Sequence, residues 1–110
     1  MDLKYGKDMN MLNIEKTNNQ NELTVKLSGR LDTTTAPILE SELRTAVSGI
    51  QTLIFDVNEL EYISSAGLRV LLSAQKVMNK QGKMTVKGAN EVIMEIFEVT
   101  GFIDILNIEQ

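Results

Sequence analysis

Two adjacent hydroxyls, Ser64 and Ser65, stand between an apolar run ending at Asp56 and an amphipathic stretch that begins at Gly67-Leu68. Serines at such a junction can cap a helix by accepting backbone N–H bonds. They can also carry a phosphate, which the unpaired N–H groups and the dipole of a helix N-terminus favour. Gly67 leaves the backbone there open to close approach. By itself a Ser-Ser-x-Gly turn is accounted for by a plain pair of cap residues, so its surroundings have to decide. If Ser65 were a nucleophile, its base would be Asp32 or Asp56. The 110-residue chain has no histidine and no cysteine, which removes a Ser-His-Asp triad, thiolate chemistry and disulfides. It also removes the commonest nitrogen and sulfur ligands for metals. A Gly-x-Ser-x-Gly elbow and the two glycine-rich phosphate loops, Gly-x-x-x-x-Gly-Lys-Ser/Thr and Gly-x-Gly-x-x-Gly, are missing too. A binding module without a cofactor is expected, not an enzyme.

The elements that must position these residues show as periodicities. Apolar residues alternate from Leu12 to Ile14 and again at Leu23, Val25 and Leu27, on either side of a polar turn over 17–21, which predicts an antiparallel strand pair. Gly29 to Thr35 reads as a loop whose threonines are cap candidates ahead of Pro37. A helix follows from about Ala36, with Leu39, Leu43, Val47 and Ile50 inward and Glu40 and Arg44 outward. Thr52 to Asp56 reads as a central strand, and 56–65 as the loop at its carboxyl end, where open α/β sheets gather functional groups. The second helix puts Leu68, Leu71, Leu72 and Met78 on one side and Arg69, Ser73, Lys76 and Lys80 on the other, and ends at Gln81-Gly82. A strand at Met84 and Val86 comes next, then a third helix capped by Asn90 and closed by Gly101. A last strand from about Ile105 to Ile108 gives the order β-β-α-β-α-β-α-β. This is an α/β domain with a mixed, mainly parallel sheet, an N-terminal antiparallel strand pair and crossover helices.

Hydrophobic residues at 43% and charged residues at 24% suit one globular domain over residues 11–110, preceded by a polar extension over 1–10 to which no role is assigned. The apolar runs are too short for a membrane span, and the N-terminus has no apolar signal core, so no membrane insertion and a cytoplasmic location are expected. With a net charge of −4 and scattered lysines, nucleic acid is not an expected partner.

Two segments go further. Tyr62-Ile-Ser-Ser-Ala-Gly-Leu-Arg-Val-Leu-Leu72, behind an apolar strand ending in Asp56, resembles the phosphorylation segment of the STAS domain of bacterial anti-sigma factor antagonists. Leu27-Ser-Gly-Arg-Leu-Asp-Thr-Thr-Thr-Ala36 resembles that family's strand-to-helix segment, with Gly29, Leu31, Asp32 and Ala36 at the matching positions. The resemblance covers about residues 12 to 108. It implies a binding protein, not an enzyme, whose serine ahead of Gly-Leu is phosphorylated by a partner kinase; here that serine is Ser65. Many members have aspartate where this chain has Ser64, so Ser64 is the second candidate acceptor. Asp32, Thr33, Thr34, Ser64, Ser65, Gly67 and Arg69 are the candidate partner-binding residues, and each loop residue has the alternative role of turn or cap.

By that resemblance, the unphosphorylated protein would bind an anti-sigma factor with serine-kinase activity and release a sigma factor, regulating transcription by partner switching. A serine phosphatase would reverse the modification. A stand-alone STAS subunit of a transporter or another signalling complex, with Ser65 only a cap, is the alternative.

Overall fold

The computed structural model describes residues 11–110, so the extension expected over 1–10 lies outside the described residues. Strand β1 (Leu12–Asn19) turns at Gln20-Asn21 into β2 (Glu22–Leu31). Gln20 takes the left-handed conformation, φ 59°, as tight hairpin turns require. The polar stretch expected as a turn over 17–21 is therefore mostly strand: Thr17 pairs with Thr24 and Asn19 with Glu22. Helix α1 (Ala36–Ala46) leads to β3 (Thr52–Ile63), α2 (Ser65–Gln81), β4 (Lys83–Lys87) and α3 (Glu91–Thr100). A short 3₁₀ turn, Phe102–Asp104, precedes β5 (Ile108–Glu109), so the last strand is shorter and later than the expected 105–108. The sheet order is β1-β2-β3-β4-β5, with β1 antiparallel to β2 and all other neighbours parallel.

Cross-strand register builds the core in rows. Leu23, Leu53 and Met84 are in line, as are Val25, Phe55 and Val86, and all are buried. Leu39 and Leu43 of α1, Leu68, Leu71 and Met78 of α2, and Ile93 and Phe97 of α3 complete it. Asn90 caps α3 by accepting from the Ile93 N–H at 3.0 Å, and Gly101 ends it at φ 83°. Both match the sequence expectation.

The main departure lies in front of the two serines. The residues expected as a loop over 56–65 are strand as far as Ile63, because β2 goes on pairing with β3 after β4 has ended at the Asp56–Lys87 pair. Ser28 pairs with Glu59, Gly29 with Leu60, Arg30 with Tyr62 and Leu31 with Ile63, with two register shifts on the way. Likewise β2 runs on through Gly29 to Leu31, which leaves only residues 32–35 as the link to α1. Gly29 is needed at one shift: its φ is +96°, and a Cβ there would lie 2.3 Å from the Met11 carbonyl oxygen.

Candidate functional site

The extended β2–β3 ladder delivers Ser64 to the start of α2. Leu31 and Ile63 form the last pair, and the Ser64 N–H donates to the Leu31 carbonyl at 2.8 Å. Ser64 has the extended backbone of an N-cap, φ −90° and ψ 174°, and its Oγ accepts from the Gly67 N–H at 3.3 Å. Its carbonyl accepts the first helical bond, from the Leu68 N–H at 2.9 Å. Ser64 is half-buried, whereas Ser65, the first residue of α2, is exposed. The two hydroxyls thus divide between capping and solvent.

Gly67 was expected to leave the backbone open to close approach; it is buried, and the close approach is within the chain. A Cβ there would meet Leu31 Cγ at 2.6 Å, the Leu31 carbonyl oxygen at 2.9 Å and Ile63 Cγ2 at 3.1 Å. Glycine lets the first turn of α2 sit against the end of the ladder, so its place is beneath the surface.

The loop between β2 and α1 is held by Asp32. Its Oδ1 accepts from the Thr34 N–H at 3.0 Å and the Thr35 N–H at 3.1 Å, while Arg30 Nε stands 3.7 Å from Oδ2. Hydrogen bonding from the Thr35 N–H is the largest cause that holds this carboxyl below the ordinary aspartate value. The Thr34 N–H, the Thr35 hydroxyl and the Arg30 charge add to it, against a smaller upward push from burial. Asp32 thus takes the turn role: one oxygen is turned into the loop, and Thr33 and Thr34 are the exposed residues.

Sequence reasoning had Thr35 only as a cap candidate; it stands at the N-cap of α1 without a side-chain cap bond, and its buried hydroxyl instead donates to the Arg30 carbonyl at 2.8 Å and accepts from the Asp32 N–H at 2.9 Å. A threonine in a run of three carries no mark of this. The Arg30 guanidinium also lies over the Tyr62 ring, 4.5 Å from its centroid. Only the Arg30–Tyr62 register could have disclosed that contact.

Thr33 and Arg69, expected at the site from separate segments, line one groove of about 240 Å³ between α1 and α2, together with Glu40, Ala66 and Ser73. Asp56 is not part of it. Seven strand positions separate it from Ile63, roughly 20 Å at strand rise, and its Oδ1 accepts from the Asn58 N–H at 3.0 Å. With Asp56 remote and Asp32 a low-pKa turn carboxylate, neither candidate base suits a nucleophilic Ser65. Among the described residues no group of three or more acidic side chains could hold a metal ion, and no helix is long and apolar enough to cross a membrane.

A family model for the STAS domain matches residues 13–110. The chain belongs to the STAS domain family. Its relatives include the anti-sigma-B factor antagonist of Staphylococcus aureus (strain NCTC 8325 / PS 47), 30% identical over 101 residues that make up 90% of this chain and 94% of the relative. The anti-sigma-B factor antagonist of Bacillus subtilis (strain 168) is 28% identical over 98 residues, 88% of this chain and 90% of the relative. Among solved structures, this STAS domain is similar to an anti-sigma factor antagonist from Mycobacterium paratuberculosis. The TM-score is 0.80 at 21% identity, covering 88% of this chain and 84% of that one, a likeness of fold.

Proposed function

We propose that this STAS domain is an anti-sigma factor antagonist whose unmodified form binds an anti-sigma factor with serine-kinase activity and so frees a sigma factor. Phosphorylation of Ser65 ends that binding, and a serine phosphatase restores it. The observation that carries this reading is the division of labour at α2: Ser64 is engaged as the cap, and Ser65 stands exposed one residue on. A phosphate on Ser65 brings about −1.5 to −2 charges to that surface. It adds them to the surface whose exposed residues Thr33, Thr34 and Arg69 we assign to the partner contact, with Asp32, Ser64 and Gly67 shaping that surface from behind.

Incubation with the cognate kinase and phosphopeptide mapping test the assignment. Ser65→Ala is expected to remain folded and to take up no phosphate. Ser64→Ala is expected to lose about 1 kcal/mol of stability with its cap and still to be phosphorylated at Ser65. Phosphate mapped to Ser64, or to another residue of a folded Ser65→Ala protein, contradicts the assignment.

A further inference from the structure

We infer that Arg69 is the intramolecular counter-ion of phosphorylated Ser65, so that modification adds an anion to the switch surface and at the same time withdraws a cation from it. The inference rests on the reading of Ser65 given above and deepens it. Ser65 and Arg69 are four residues apart on α2 and both are exposed. Positions i and i+4 of an α-helix share a face, about 6 Å apart along the axis. Helical side chains lean toward the N-terminus, which puts a phosphate on Ser65 within reach of the Arg69 guanidinium. A phosphate offers three acceptor oxygens to the planar fork of an arginine, which suits a bidentate contact.

The surrounding charges favour this pairing. α2 carries Arg69, Lys76 and Lys80 and no acidic residue. From α1, Glu40 lines the same groove as Arg69, and Arg44 lines its continuation. From the β2–α1 loop, Asp32 is committed to the Thr34 and Thr35 N–H groups and faces Arg30. Glu40 is thus the nearby carboxylate that competes for Arg69, and a phosphate near two negative charges outbids one carboxylate. Before modification Arg69 stands at the rim of the groove, available to an acidic group of the partner. Afterwards it is held by its own helix.

The test uses the full chain with phosphoserine placed at position 65 during translation, so that no kinase is involved. The second ionisation of the phosphate is followed by ³¹P NMR in the wild-type background and in Arg69→Gln and Arg69→Lys. The wild-type phosphate is expected to ionise about 0.3 pH unit or more below that of Arg69→Gln, with Arg69→Lys between them and the gap closing in 1 M salt. The helix terminus acts equally in all three proteins and cancels. Values for wild type and Arg69→Gln that agree within about 0.1 unit overturn the inference. Because the phosphate is installed independently, a lowered value with kinase mapping away from Ser65 sinks the switch reading alone, and equal values with mapping to Ser65 sink the Arg69 contact alone.

Discussion

Ser64 and Ser65 are neighbours with the same side chain, and the start of α2 gives them different work. The extended backbone of Ser64 points its hydroxyl back at the Gly67 N–H, while Ser65 is already helical and faces solvent. Both candidates were legible in the sequence because serine ahead of an amphipathic run is a cap signal; which one caps depends on where Leu31 receives the strand, a tertiary fact. Asp32 differs, since the turn role offered as its alternative is the one its hydrogen bonds fill. Asp32→Ala is expected to cost about 1 kcal/mol at neutral pH, as for a lost cap, and to alter partner affinity little. Its folded pKa is depressed, so its contribution is fully present above the unfolded value near 4 and fades as pH falls through the folded value. Melting temperatures of wild type and Asp32→Ala should therefore differ at about pH 6 and draw together only as pH falls below about 4. A large affinity loss at unchanged melting temperature would place the Asp32 side chain in the interface instead.

At the scale of elements, α1, α2, α3 and β4 were readable because their apolar spacing follows one period each. The second half of β3 was not. Its buried residues Val57, Leu60 and Ile63 are three apart, with Asn58, Glu59 and Glu61 exposed, because register shifts against β2 break the two-residue alternation. Read locally, that spacing is no strand, although the backbone is paired throughout. The extension is what brings Ser64 within reach of Leu31, so its packing supports the site. Leu60 is fully buried, and Leu60→Ala is expected to destabilise the domain by about 2–5 kcal/mol, measured by urea unfolding. A cost below about 1 kcal/mol, the level of an exposed loop residue, would show that the ladder past Asp56 contributes little.

Across the whole molecule the two faces of the sheet are built differently. One carries the apolar rows and the helices. On the other, register aligns Glu15, Lys26, Asp56, Lys87 and Glu109, one from each strand in alternating sign. Opposite charges on neighbouring strands favour this register and disfavour slipped ones. Composition alone shows only a net charge of −4; the alternation exists once the strands are ordered. The switch surface we propose lies where the β2–β3 ladder ends, at the start of α2 and of the groove beside α1. A modification at Ser65 can act there without disturbing the core, because the N-terminus of α2 stabilises an anion. Isothermal calorimetry with the cognate anti-sigma factor, comparing unmodified protein with protein phosphorylated at Ser65, tests this most directly. The account predicts retained fold and melting temperature with affinity lowered roughly 100-fold or more, the scale of a like-charge or unpaired-charge penalty of a few kcal/mol. Equal affinity of the two forms would contradict it.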